Sequence, residues 1–314
     1  MSLAFIFPGQ GSQAVGMGAD LAEAFAAARE VFQEVDDALG QNLFKLMREG
    51  PEDQLTLTEN AQPALMAVSV AVMRALAADF GIGVDKAAFV AGHSLGEYSA
   101  LAAAGALELG DAARLLKLRG QAMQRAVPVG AGAMASLIGP KSDVALAEAA
   151  AEAGSAKGVC VVANDNNQGN VVISGAKAAV EAAIEAAKGL GARAILLNVS
   201  APFHCPLMQP AAEEMAAALA DAAITAPRAP VVANVTARPA HDPDELRRLL
   251  VEQVTGRVRW RESVDWLATS GGVTRFLEAG AGKALTGMVK RIAPDAEASA
   301  LGGPADLEAF AKSL

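Results

Sequence analysis

The chain has 314 residues, 53% hydrophobic and 19% charged, enough apolar content for a sizeable core and far from a disordered protein. Its net charge of −9, from 26 Lys+Arg against 35 Asp+Glu, argues against nucleic acid as the main partner. Two cysteines, Cys160 and Cys205, form neither a disulfide framework nor a zinc site, so a reducing cytoplasm is the expected compartment.

The length suits one large domain, or one large and one small. Met1 to Gly9 carries no basic leader, so no signal peptide is expected, and no run of about 18 apolar residues suggests a membrane span. A strand over 3–7 leads into the loop Pro8-Gly9-Gln10-Gly11-Ser12. Helical patterns follow over 18–39 and 61–79, then an apolar run over 87–91, the turn Gly92-His93-Ser94-Leu95-Gly96 and another helix. Buried strands alternating with helices predict a mostly parallel sheet covered on both faces.

The middle changes character. Strand 134–138, helix 142–153, strands 159–164 and 170–174, helix 177–189 and strand 193–199 give the βαββαβ order of a ferredoxin-like module. A small domain over 128–198 is therefore expected, inserted into a large α/β domain formed by 1–127 and 199–314. The α/β pattern then resumes with a helix from Pro206 to about 223, a strand over 231–235, helices over 244–253 and 262–270, a strand over 275–278 and a final helix.

Gly92-His93-Ser94-Leu95-Gly96 reads as G-x-S-x-G, and its setting matters more than its letters. A strand precedes it and a helix follows, the context of a nucleophile elbow that exposes a serine hydroxyl. The helix N-terminus also offers free backbone N–H groups beside a developing oxyanion, with Leu95 the natural donor. The alternative is a turn in which Ser94 merely caps the helix. Serine needs a base, and the chain has three histidines. His93 adjoins the nucleophile on a tight turn, where neighbouring side chains diverge. His241 sits in a polar turn. His204, in Ser200-Ala201-Pro202-Phe203-His204-Cys205-Pro206 at the junction of the two modules, is the candidate base.

The helix predicted over 111–127 places Arg119 in the middle of its apolar stripe of Ala112, Leu115, Leu116, Ala122, Met123 and Ala126. An unpaired buried charge costs roughly 3–5 kcal/mol, so something must neutralise it. Either an acid of the chain pairs with it or the guanidinium snorkels to the surface, or it lines a pocket and meets a substrate carboxylate in a bidentate pair.

The chain resembles the malonyl-CoA:acyl carrier protein transacylases of bacterial type II fatty-acid synthesis over nearly its whole length. The resemblance rests on Phe7-Pro8-Gly9-Gln10-Gly11-Ser12-Gln13, Gly92 to Tyr98, Arg119-Gly120, Ser200 to His204, Glu252-Gln253 with Val258-Arg259-Trp260, and Glu278 to Lys283, in that order. It implies a hydrolase-like core with a ferredoxin-like insertion, Ser94 as the acylated nucleophile and His204 as its base. It also implies an oxyanion hole from the N–H groups of Gln10 and Leu95, Arg119 on the malonyl carboxylate, and a backbone carbonyl at Gln253 orienting the histidine. Phe203 before the histidine accompanies malonyl rather than methylmalonyl in related domains. Ala281, where proline is common, and Ala201 depart from the pattern without touching chemistry. Malonyl-CoA and acyl carrier protein are then the partners of an expected monomer, with no cofactor, metal, nucleic acid or membrane. An acidic carrier needs a local basic patch, for which Arg247, Arg248, Arg257, Arg259, Arg261, Lys283 and Lys290 are the candidates. The rival classes are a serine esterase or thioesterase and a non-catalytic carrier-binding module.

Overall fold

The computed structural model describes residues 2–314. β1 (Leu3–Phe7) is buried throughout. The helix expected over 18–39 is broken at Phe25, whose extended backbone separates α1 (Ala19–Ala24) from α2 (Ala26–Leu39) while its ring packs edge-on against Phe80. Two short helices that the sequence reading passed over, α3 (Leu43–Glu49) and α4 (Glu52–Thr56), lead to α5 (Thr58–Phe80). By length and composition α5 is apolar enough to cross a bilayer, yet 72% of that stretch is buried inside the fold, so its apolarity is that of a core helix. β2 (Phe89–Gly92), α6 (Gly96–Ala103) and α7 (Leu109–Ala126) complete this segment.

The middle segment runs β3 (Gly132–Ile138), α8 (Val144–Gly154), β4 (Cys160–Asn167), β5 (Asn170–Ala176), α9 (Lys177–Gly189) and β6 (Arg193–Leu196). Its antiparallel sheet has the order β4-β5-β3-β6, as the βαββαβ reading requires. Ala135, Leu137, Val171 and Ile173 pack against Ala150, Ala183 and Ala187 as a separate core. At its tightest point the approach needs glycine: a Cβ on Gly154 of α8 would stand 2.3 Å from the Ala179 carbonyl of α9.

The chain returns through α10 (Gln209–Asp221), β7 (Val231–Ala233), β8 (Arg238–Ala240), α11 (Pro243–Thr255) and α12 (Trp260–Thr269). It ends with β9 (Arg275–Ala279), α13 (Ala284–Ile292), β10 (Glu297–Leu301) and α14 (Pro304–Ala311). The six-stranded sheet has the order β10-β9-β1-β2-β7-β8, parallel except for β8.

Two expectations need correction, and one strand was passed over. Pro206 opens a 3₁₀ turn over Pro206–Met208, and the α-helix starts only at Gln209. β8 is a three-residue edge strand containing Pro239, tolerated there because an edge position spares the missing N–H. The chain does not close on a single helix after β9: β10 and α14 follow, and the Glu-Ala-Ser-Ala-Leu composition of β10 carries little strand propensity.

Two contacts, one between the sheets' segments and one between helices, shape the surroundings of the site. Val258, just before α12, bridges to β4 through Val258 N–H to Ala163 O (2.8 Å) and Asp165 N–H to Val258 O (2.9 Å), and Arg261 pairs with buried Asp165. α7 meets the start of α5 almost backbone to backbone, since a Cβ on Gly120 would lie 2.5 Å from Glu59 Cα. That approach sets Gln62 of α5 beside Arg119.

Candidate active site

Ser94 occupies a sharp turn between β2 and α6, with φ 54°. L-residues enter that left-handed region at a cost, so the neighbourhood must over-determine it. The flanking glycines are required by space. A Cβ on Gly92 would stand 1.9 Å from the Gly96 carbonyl, and one on Gly96 would stand 2.3 Å from the Phe7 carbonyl. The turn is also stapled from outside: Asn234, after β7, accepts from Ser94 N–H at 2.7 Å and donates to Gly92 O at 2.6 Å.

His204 likewise has φ 57° and is buried. Its Nε2 lies 2.7 Å from Ser94 Oγ and its Nδ1 2.9 Å from Gln253 O at the end of α11. A carbonyl only accepts, so Nδ1 carries the proton and Nε2 is left to accept from the serine hydroxyl. Burial first, and the Arg119 guanidinium second, hold the His204 pKa down to about 3.

Arg119 is 2% exposed and lines the same cavity. Nη1 donates to Gln62 Oε1 at 2.7 Å, and Nη2 donates to Gln253 Oε1 at 2.8 Å and to Ser94 Oγ at 3.2 Å. Its Cζ lies 5.9 Å from the Tyr98 ring centroid, within the range of a cation–π contact. Among the described residues no acid stands within ion-pair distance of it, and its Nε has no partner. Of the readings open from sequence, the structure excludes snorkelling and a direct ion pair.

The cavity, about 340 Å³, lies between the elbow and the antiparallel sheet. Gln10 and Leu95 line it, and neither N–H has a protein acceptor among the described residues. Met123, Met134, Val172 and Phe203 supply apolar wall, while Asn164 and Asn166 supply polar wall. α13 closes one side with Ala284, Leu285 and Met288. Glu278 holds that helix in place, its carboxylate accepting from Leu285 N–H (3.1 Å) and Thr286 N–H (2.6 Å), which accounts for the acid in the Glu278-to-Lys283 motif.

The six residues singled out from sequence therefore converge on one cavity or its immediate support. His93 also borders the cavity but is tied to Asn166 at 2.9 Å and packs on Trp260, and His241 is exposed on the surface. Sequence reasoning missed Gln62, Asn234 and Glu97. Glu97 alone had a visible signal, an acid three residues after the serine in the first turn of a helix. It is 1% exposed, and Oε2 accepts from Asn234 N–H (2.9 Å) and Gln253 Nε2 (3.0 Å). Burial pushes its pKa up to about 7, against the pull of these donors and of Arg119. Among the described residues no cluster of three His, Cys, Asp or Glu side chains is placed to hold a metal.

The depressed His204 pKa has a direct consequence. In an imidazole NMR titration of the free protein, His204 is expected to stay neutral from pH 8 to pH 5; a midpoint near 6.5 contradicts the described environment. The unfolded chain binds a proton there below about 6.5 and the folded chain does not. This group's contribution to stability is thus full above that pH and declines as pH falls towards 3.

Comparison with known proteins gives the same reading independently of the geometry. The family described as "Acyl transferase domain" matches residues 4–291. The Malonyl CoA-acyl carrier protein transacylase of Escherichia coli K12 is 46% identical over 307 residues, covering 98% of this chain and 97% of that protein. The protein of the same name from Bacillus subtilis strain 168 is 43% identical, covering 99% and 97%. Among solved structures, an acyl-carrier-protein-S-malonyltransferase from Bartonella henselae superposes with a TM-score of 0.96 at 54% identity, covering 100% and 99%. A malonyl-transacylase in complex with a type II PKS acyl-carrier protein superposes with a TM-score of 0.96 at 42% identity, covering 100% of both chains. At this identity over this length, the chain belongs to the acyl transferase domain family, among the malonyl CoA-acyl carrier protein transacylases.

Proposed function

We propose that the chain transfers a malonyl group from malonyl-CoA to the phosphopantetheine thiol of an acyl carrier protein by a ping-pong mechanism. The observation that carries this reading is Arg119, a buried guanidinium 3.2 Å from the Ser94 hydroxyl with no acid paired to it. A substrate whose reacting carbonyl sits one carbon from a carboxylate fits that spacing. The names of the relatives and the solved complex with a carrier protein support the same choice.

His204 Nε2 takes the Ser94 proton as Oγ attacks the thioester carbonyl. The oxyanion forms beside the N–H groups of Leu95 and Gln10, whose donors are unspent. Collapse expels coenzyme A as a thiol, with the proton returned from His204, and leaves malonyl-Ser94. The carrier's thiol then gives its proton to His204 and attacks the ester. Its collapse returns that proton to Ser94. Through both halves Gln253 O holds the imidazole in the required tautomer. The coenzyme A thioester is a substrate here, and no cofactor enters the sequence.

The remaining readings belong to the same proposal. Residues 128–198 form a small ferredoxin-like domain inserted between 1–127 and 199–314, supported by its separate core. The enzyme acts as a cytoplasmic monomer without nucleic acid or membrane. The carrier-docking patch expected from sequence needs narrowing, because Arg247, Arg248, Arg257, Arg259 and Arg261 are each paired with an acid of this chain. Lys283 and Lys290, exposed and flanking the α13 residues that line the cavity, are in no ion pair among the described residues and remain as candidates.

Three measurements test this. Intact-mass spectrometry after brief mixing with malonyl-CoA should show one malonyl adduct on the wild type and none on Ser94→Ala. An equal adduct on both, or an adduct that water clears without any thiol, rejects the transferase reading. Arg119→Ala should lose malonyl transfer and narrow the malonyl-to-acetyl ratio of kcat/KM, which pairing of this kind can set at roughly 10⁴–10⁵. An unchanged ratio removes Arg119 from acyl selection. Lys290→Glu should raise the KM for carrier protein at low salt and lose that effect at high salt; no change places the docking surface elsewhere.

A further inference from the structure

The buried guanidinium needs a counter-charge before any substrate arrives. The acid that the structure sets nearest in its hydrogen-bond network is Glu97, one amide away. Gln253 stands between them. A guanidinium has only donors, so Gln253 Oε1 must face Arg119 (2.8 Å), and Nε2 is then directed to Glu97 Oε2 (3.0 Å) and Ser94 O (3.0 Å). The amide thus relays between positive and negative ends without their touching. Glu97 Oε2 also accepts from the N–H of Asn234, the residue that staples Ser94. Glu97 Oε1 has no partner, which leaves room on the carboxyl for a proton.

We propose that Glu97 is a positioning residue that balances the charge of Arg119 in the unacylated enzyme through the Gln253 amide, and that it takes up a proton from solvent when a substrate carboxylate reaches the guanidinium. The arriving carboxylate satisfies Arg119 and brings a second negative charge into the same low-dielectric region. Two carboxylates sharing one buried cation cannot both stay ionised cheaply, so the one that is not in contact with it protonates. The titratable groups around Glu97 are Arg119 on α7, Tyr98 on its own helix, and His204 on the far side of Gln253. The segment after β7 and the end of α11 face it only with the neutral Asn234 and Gln253. His204 stays neutral in this range, and the Tyr98 hydroxyl is far from titrating, which leaves Glu97 as the group that moves a proton. With the free carboxyl poised at about 7, binding at pH 7 should take up about half a proton.

The inference rests on the reading of Arg119 as the carboxylate site, and the test separates the two. Isothermal titration calorimetry of the Ser94→Ala protein at pH 7, in buffers of different ionisation enthalpy, counts protons taken up with malonyl-CoA and with acetyl-CoA. Subtraction cancels the contribution of the coenzyme. The expected difference is about half a proton per site, falling to zero when Glu97→Gln is added, because glutamine keeps the acceptor for Asn234 but not the charge. A zero difference with Glu97 intact overturns the proposal whether or not the double variant folds, as does an undiminished difference in a folded Glu97→Gln protein. If Ser94→Ala/Arg119→Ala binds malonyl-CoA as tightly as Ser94→Ala does, the Arg119 reading fails first. If its affinity falls more than tenfold while Ser94→Ala, with Arg119 intact, shows no difference in proton uptake between malonyl-CoA and acetyl-CoA, only the Glu97 inference fails.

Discussion

A positive charge sealed in a mostly apolar cavity, with no acid touching it, is the constraint around which the rest of this protein is arranged. Removing a guanidinium from water costs several kcal/mol unless its donors and its charge are met. Here the Nη donors are met by neutral oxygens, two side-chain amides and the serine hydroxyl, while Nε has no partner. Amides stabilise the cation without cancelling it. The site therefore keeps an unspent attraction for an anion beside the hydroxyl. A glutamate in place of Gln62 or Gln253 would close the ion pair within the chain and remove that attraction.

The same guanidinium helps set the acid–base chemistry. It keeps the neighbouring imidazole neutral, adding to burial, so the base is in its active form across the ordinary pH range. The orienting partner of that imidazole is a main-chain carbonyl, which carries no charge of its own. A carboxylate at that position would have been a second anion close to Arg119. Gln253 instead serves four groups at once, giving its carbonyl to His204, its Oε1 to Arg119 and its Nε2 to Ser94 O and Glu97. Both reacting residues sit at positive φ, and each is braced by a segment distant in sequence. Such strain persists only where surrounding contacts over-determine it. The antiparallel sheet contributes no part of the serine–histidine pair; it supplies wall, through Met134, Asn164, Asn166 and Val172.

Much of this was legible from the residues alone. Apolar runs and helical periodicity gave most of the elements, and their order, strand alternating with helix and then βαββαβ, separated the two sheets, because such patterns are local properties. Where local signal was weak the reading slipped: β10 is built from small residues, β8 has three residues and a proline, and α3 and α4 are too short for periodicity to register. The break at Phe25 comes from a ring that finds its partner at Phe80, far along the chain. Ion pairing was legible only in part. Arg247, Arg248 and Arg259 find acids three or four residues away. Arg257 finds Glu148 and Arg261 finds Asp165 because the chain around the start of α12 lies against the smaller module.

By itself the sequence determined the elbow, the histidine and the misplaced arginine, since each breaks a local rule: a glycine-flanked serine between strand and helix, a histidine on a junction loop, a charge within an apolar stripe. Only the tertiary structure decided what those breaks are for. The 2.7 Å serine–histidine contact, the neutral cage around Arg119 and the link from Gln253 to Glu97 join residues 25 to 156 positions apart. No periodicity spans such separations, because pairing across them is set by how helices and sheets pack rather than by any preference of the residues concerned.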